Sequence, residues 1–562
     1  MGRMRFSLGF WIVICLFVFA EDLGLASEKL DQASFKKEEA ACRALTGIPN
    51  LTILSAELVA ATESMPDYCH VTGLISPAIH YYVQLPLRAN WNARFLKWGD
   101  GGKDGDLDFA PHRVAQGYVV ANSNTGHDNG AEPGASFGFN NRQAEIDFGY
   151  RAVHLTTNAA KTVIQAYYGQ APKYSYFEGC STGGKQALME AQRFPYDFDG
   201  IVGGAPVFLY TAVNAAHVWM LQRVYANNFA GNLAFDADSD GVPESLTKLN
   251  TLRQAVLDKC DANDGIKDGI IDNPLACEFR PEKDLVGKTC RGDVNADNCF
   301  TEQQMKTIRD IYRGPYDSKG NGILKGYSLG SEFEWSRSVI PYAGNNMRPG
   351  LVDVSADHMN YLFYDADPGV AVSDQIDVSH APDKNGNAPE FAWWEFKADD
   401  VTSGRGKTMM SILDATDPDL TRFLNKKGGK LILYHGWGDT WPHPEPTLDY
   451  YKDVVKTTFH GDLNAAREKF QLFMIPGMGH CSGGPGPNEW DKLAPLVEWV
   501  ENGKAPNHVA AVHRTDDGKV DNERKVCAYP QRAVYIGPSG GENDRANWVA
   551  RNFACNPSKV LK

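Results

Sequence analysis

Two rhythms of apolar residues run along the chain. Runs rich in β-branched and aromatic residues predict strands at 51–60 and at 80–87 (HYYVQLPL). RFLKWGDGGKDG (94–105) carries a strand into a glycine cluster, and GYVVANSNTGH (117–127) is a strand that ends in a turn. Residues 146–169 switch to helical spacing and stop at Gly169. YSYFEGCSTGG (174–184) reads as strand, tight turn and helix start, and FDGIVGGAP (198–206) as a further short strand. Strands alternating with helices predict an α/β sheet, mostly parallel.

The pattern is lost after Pro206. Residues from about 207 to 425 hold turn-rich, Asp- and Gly-rich stretches. It returns at GGKLILYHGWGD (428–439) and EKFQLFMIPGMGHC (468–481), each an apolar strand running into a loop, with a helix over about 489–502. The division expected is a leader at 1–26, a catalytic α/β domain at 27–206 and 426–562, and an inserted lid domain at 207–425.

Composition narrows the class. The chain has 562 residues, 43% hydrophobic and 11% aromatic, enough for a packed interior. A formal charge of −14 argues against nucleic acid or an anionic membrane as the main partner. Arg3 and Arg5 precede an apolar run from about Phe6 to Ala20, and Gly24-Leu25-Ala26 places small residues at a cleavage site. This predicts a signal peptide and a secreted or periplasmic protein free of the membrane once cleaved, an uncleaved anchor being the competing reading. Cys15 lies within that run, and ten cysteines remain after it. An even count in an exported chain predicts disulfides. Loop economy suggests Cys42–Cys69, Cys260–Cys277, Cys290–Cys299 and Cys527–Cys555, which leaves Cys180 with Cys481.

The chemistry begins at Gly179-Cys180-Ser181-Thr182-Gly183. G-x-S-x-G between a strand and a helix is the setting of a nucleophilic serine in an α/β-hydrolase fold, where an acid and then a histidine follow on loops after later strands. Asp439 and His480 fit in order and context. His435 and His127 compete with His480, and Asp374 and Asp377 with Asp439. If Ser181 and His480 meet, Cys180 and Cys481 come within disulfide range, so a bridge would staple the two loops together. The oxyanion needs two preorganised N–H donors: Thr182, and one from the glycine cluster, Gly101 favoured and Gly102 next.

Two acidic loops lie in the inserted segment. In CDANDGIKDGIID (260–272), Asp261, Asp264 and Asp268 alternate with glycines, hard oxygen ligands suited to Ca²⁺, with the Ile266 and Ile270 carbonyls as further donors. Asp236, Asp238 and Asp240 resemble the start of an EF-hand loop, but Thr247 stands at its twelfth position in place of Glu. Both sites read as structural.

On GCSTGGKQALMEAQRFPYDFDGIVGGAP, CDANDGIKDGIIDNPLACEF, CFTEQQMKTIRDIYRGP, LYHGWGD and PGMGHC, the chain resembles the tannase/feruloyl esterase family. The resemblance implies a serine carboxylesterase with Ser181, Asp439 and His480 as its triad, Cys180–Cys481 beside it and lid calcium on Asp261, Asp264, Ile266, Asp268 and Ile270. It implies a small aromatic ester substrate, possible attachment to plant polysaccharide or polyphenol included: hydroxycinnamate first, gallate next, terephthalate monoester third. Trp335, Tyr342, Trp393 and Trp394 could pack on a phenolic ring, though lid core is the commoner fate of such residues. A non-catalytic binding protein on this fold is the alternative of another class.

Overall fold

The structure is a computed structural model that describes residues 32–365 and 396–560. The expected leader with Cys15, the competing acids Asp374 and Asp377, and Trp393 and Trp394 lie outside the described residues.

Nine strands form one sheet: β1 (Thr52–Val59), β2 (Tyr68–Ile75), β3 (Ile79–Pro86), β4 (Arg94–Trp98), β5 (Val119–Ser123), β6 (Tyr174–Cys180), β7 (Gly200–Gly204), β8 (Lys430–Gly436) and β9 (Phe470–Ile475). Their spatial order is β1-β2-β3-β5-β4-β6-β7-β8-β9. The β1–β2, β2–β3 and β3–β5 pairs are antiparallel, and the rest of the sheet is parallel. Burial follows pairing. β5, β7 and β9 are buried at every residue, as parallel strands covered on both faces must be, whereas β1 alternates towards solvent. β2 is an element the hydropathy pattern did not announce.

The helix expected over 146–169 is Ala152–Tyr168, entered through a π turn at Asp147–Arg151 and closed by Gly169 at φ +76°. The one expected over 489–502 starts later, at Ala494. The Asp491 carboxylate accepts the N–H groups of Leu493 and Ala494 at 3.0 and 3.1 Å and so sets the start.

Between β7 and β8 the inserted segment builds its own apolar cluster, including Trp219, Leu221, Tyr225, Leu252 and Trp335. Trp335 is fully buried there and donates its Nε1–H to Ser331 Oγ at 3.0 Å, and Tyr342 packs against the same cluster. Beyond β9 come two antiparallel hairpins, β10 (His508–Arg514) with β11 (Val520–Cys527), and β12 (Gln531–Tyr535) with β13 (Phe553–Val560). All five expected disulfide pairings are present. Among the described residues no helix is long and apolar enough to cross a membrane.

Candidate active site

Strand β6 ends at Cys180, and the helix Thr182–Arg193 begins two residues later. Ser181 alone makes the turn, at φ 63° and ψ −118°. Such a backbone costs a non-glycine residue about 1–3 kcal/mol and persists only where its surroundings over-determine it. The flanking glycines let the chains close on it. A Cβ on Gly179 would lie 2.9 Å from Gly183, and one on Gly183 would lie 2.9 Å from the Asp100 carbonyl. The Ser181 N–H donates to the Gly204 carbonyl at 3.0 Å, tying the turn to β7.

Two remote loops meet at this turn. His480, after β9, places Nε2 2.9 Å from Ser181 Oγ and Nδ1 2.9 Å from Asp439 Oδ2. Asp439, after β8, is fully buried and accepts the Trp441 N–H on Oδ1 at 2.8 Å. Burial pushes its carboxyl up, but the charges and hydrogen bonds of His480 and His435 outweigh this and hold it well below the usual carboxylate range. Cys180 and Cys481 form the bridge beside the pair, with Cα atoms 6.0 Å apart, and Cys481 itself stands at φ 63°.

Neither competing histidine meets Ser181 Oγ, which pairs with His480. His127 is buried between Phe137 and Phe148, and burial pushes it down to about 4. His435 meets the same Asp439 oxygen as His480 and makes no hydrogen bond to Ser181. Its Nε2 lies 3.2 Å from Asp439 Oδ2 and 3.1 Å from the Pro442 carbonyl, both acceptors, so that nitrogen carries the proton. Its Nδ1 is 2.8 Å from Thr447 Oγ1. His435 therefore braces the aspartate. Trp441 stacks on the His480 ring, centroids 5.7 Å apart and planes 14° apart, a contact that sequence reasoning missed.

A cavity of about 290 Å³ opens over Ser181, bounded in part by Gly101, Gly102, Thr182 and Trp441. Neither the Thr182 nor the Gly101 N–H donates to a described residue. The loop that carries Gly101 is pinned to the helix after Ser181. Gly183 N–H donates to the Asp100 carbonyl at 2.7 Å, and Thr182 Oγ1 to the Gly102 carbonyl at 2.6 Å. The helix Tyr210–Phe229 supplies Tyr210, Val213, Asn214 and His217 to the far wall. Asn214 Nδ2 donates to the Tyr210 carbonyl at 2.8 Å, while its buried Oδ1 has no partner. Burial first, then His443, holds the His217 imidazole well below its ordinary range, so it is neutral.

The acidic loop 261–272 lies away from this cavity. Asp261 accepts the N–H groups of Asp268 and Gly269 at 3.2 and 3.1 Å. Asp264 and Asp268 face the buried Arg524 of β11, at 3.6 and 2.8 Å, and Asp272 lies 3.8 Å from it and 3.7 Å from Arg532. Asp272, Arg524 and Arg532 were not legible in the loop's own pattern. Four carboxylates against two guanidiniums leave surplus negative charge in a buried place. Burial accordingly pushes Asp261, Asp264 and Asp272 up, Asp264 to about 7. The Ile266 and Ile270 carbonyls accept no hydrogen bond from a described residue. The loop offers carboxylates and free carbonyl oxygens, the donor types of a hard divalent cation, but among the described residues no three of its carboxylates bring ligand atoms within 4.8 Å of one another. In the second loop, Asp236, Asp238 and Glu244 bring ligand atoms within 4.8 Å of one another. Asp240 is outside that group and accepts the Val242 N–H at 2.8 Å.

Comparison with known proteins agrees with this architecture. A family model described as Tannase and feruloyl esterase matches residues 62–550. Mono(2-hydroxyethyl) terephthalate hydrolase of Piscinibacter sakaiensis is 32% identical over 548 residues, covering 89% of this chain and 87% of that protein. Feruloyl esterase B of Aspergillus niger is 28% identical over 517 residues, covering 87% of this chain and 88% of that protein. Among solved structures, an esterase from Aspergillus oryzae matches with a TM-score of 0.73 at 25% identity, over 92% of this chain and 100% of that chain. The sheet order and these likenesses make the fold that of an α/β hydrolase.

Proposed function

Because the chain belongs to the tannase and feruloyl esterase family, we propose that it is a secreted serine esterase acting on phenolic acid esters, hydroxycinnamates first. The observation that carries this is the chain Ser181–His480–Asp439, linked at 2.9 and 2.9 Å and open to a largely apolar cavity. Ser181 Oγ attacks the ester carbonyl and passes its proton to His480 Nε2. The developing oxyanion takes the N–H groups of Thr182 and Gly101. The C–O bond to the alcohol breaks, and His480 returns the proton to the leaving oxygen. Water, deprotonated by His480, then releases the acid from Ser181. Asp439 holds the imidazole in the required tautomer and stabilises the imidazolium.

Asn214 Oδ1 favours a hydroxylated acyl ring. It is an acceptor buried without a partner, which costs about 1–3 kcal/mol, and a phenolic O–H would satisfy it. Wild-type protein is expected to prefer methyl ferulate to methyl cinnamate in kcat/KM, and Asn214→Leu to lose about tenfold of that preference. A preference left intact in the variant would remove Asn214 from substrate recognition. Galloyl and terephthaloyl esters complete the panel. Faster turnover of either would replace the hydroxycinnamate assignment.

We propose also that Asp261, Asp264 and Asp268, with the Ile266 and Ile270 carbonyls, hold Ca²⁺. Its role is to neutralise the loop and fasten the inserted segment to β11, with no part in bond making. At a thousandfold excess over Kd a bound ion adds about 4 kcal/mol of stability. A chelator is therefore expected to lower Tm by roughly 5 °C or more while kcat at 25 °C stays within about twofold. An unchanged melting curve would mean that no such ion is held.

A further inference from the structure

Three ligating side chains meet on the flank of the helix that follows Ser181. Glu190 stands in that helix (Thr182–Arg193), Asp197 in the loop after it, and His154 in the helix Ala152–Tyr168. None of the three lines the cavity over Ser181. Their ligand atoms lie within 4.8 Å of one another. Glu190 is 1% exposed, and neither of its carboxylate oxygens has a hydrogen-bond partner among the described residues. Burial first, then the Asp197 charge, pushes its carboxyl well above the usual range. The nearby ammonium groups are committed elsewhere. Lys161 Nζ donates to the Asp197 main-chain carbonyl, and Lys97 Nζ to the Trp98 carbonyl at 2.7 Å. A buried acceptor left without a donor costs free energy that a cation would return.

The imidazole is already oriented towards this acceptor. His154 stacks on Phe194, with centroids 4.0 Å apart and planes 8° apart, and its Nδ1 lies 2.6 Å from Asp197 Oδ2. Its Nε2 lies 3.1 Å from the Asn158 side-chain amide. Half a turn of that amide presents its oxygen to Nε2–H, which leaves the Nδ1 lone pair for an ion, and metal-bound imidazoles are commonly held through the second nitrogen in this way. The His154 side chain is 28% exposed, so the cluster has an entry path from solvent.

We propose that His154, Glu190 and Asp197 bind one Zn²⁺, with solvent in the remaining position. One imidazole and two carboxylates form a borderline donor set, which suits Zn²⁺ over Ca²⁺. Small side-chain rotations bring the three atoms to about 2.1 Å from the ion. Binding releases the proton that burial keeps on Glu190. Glu190 lies about 12 Å along its helix from Thr182, so the ion takes no part in bond making at Ser181. It pins the helix that opens at the nucleophile turn to its neighbour Ala152–Tyr168.

The test is uptake of Zn²⁺ by the full chain in excess Ca²⁺, which occupies sites built from oxygen alone. Equilibrium dialysis compares wild type with His154→Ala and Glu190→Gln. Wild type is expected to hold one Zn²⁺ that each variant binds about 100-fold more weakly or worse. Co²⁺ in its place should give the visible bands of a four- or five-coordinate centre in wild type and none in His154→Ala. Equal uptake by wild type and His154→Ala, no uptake by either, or Co²⁺ bands that persist in His154→Ala, overturns the site and leaves Glu190 a protonated acid that donates to Asp197. If Glu190→Gln does not fold, His154→Ala, altered only at a partly exposed ring, decides the matter by the same ratio.

Discussion

Ser181→Ala is expected to lower kcat on methyl ferulate by about 10⁶-fold, with KM changed little. His480→Ala should cost about as much, and the double variant little more than either, because a nucleophile and its base act as one unit. Asp439→Asn should fall short of this, near 10⁴-fold, since it spares both reacting groups and spoils only the tautomer of the imidazole. The size of the Ser181 effect follows from the site. Its Oγ is the atom His480 Nε2 meets at 2.9 Å, and the backbone that aims it carries a strained φ of 63°. Alanine keeps that backbone and the surrounding contacts, so Tm should move by only a few degrees. A fluorophosphonate should label wild type and leave Ser181→Ala unlabelled. Turnover that survived in Ser181→Ala at wild-type rate would mean that another group makes the acyl-enzyme.

The elements that carry these three residues could be read from the sequence because each follows an apolar strand buried on both faces, and unbroken hydrophobic runs leave little choice of structure. LILYH before Asp439 and QLFMI before His480 are of that kind. The bridge was legible for a related reason: placing Ser181 beside His480 leaves Cys180 and Cys481 nowhere else to go. Contrast β12, half-buried at every residue, where neither face stands out from the other and no periodic signal exists. β12 escaped notice accordingly, whereas β10 and β11 do alternate in burial and were missed all the same. The residues missed at the site share another property, since their roles come from contacts between segments far apart in the chain. Arg524 acquires its meaning from Asp264 and Asp268, and Asn214 from a cavity that β6 and the inserted segment close together. His435 was legible only as a rival to His480. That it grips the same oxygen of Asp439 as His480 depends on how the loop after β8 turns back at Pro442.

The joint variant Cys180→Ala, Cys481→Ala is expected to lose about 10²-fold in kcat while remaining folded. Two accounts of the bridge predict different observables. The link spans 301 residues of sequence, and constraint of the unfolded chain over a loop that long is worth about 6 kcal/mol in the chain-entropy model. Were that its whole role, removal would lower Tm and leave kcat alone. The geometry adds a local role. Ser181 and Cys481 both hold positive φ, an unfavourable state for each, and the bridge joins residue 180 directly to residue 481. Cutting it lets either loop relax towards ordinary backbone angles, and a shift near 1 Å between Oγ and Nε2 costs about 10²-fold in rate. The matched control is Cys290→Ala, Cys299→Ala, a bridge in the inserted segment that does not line the cavity over Ser181, for which kcat should hold steady. Should the Cys180/Cys481 variant keep its full kcat and lose only thermal stability, the bridge would be a tether between distant segments, and the aim of Ser181 would rest on the Gly179–Gly183 packing and the Ser181 N–H to Gly204 hydrogen bond alone.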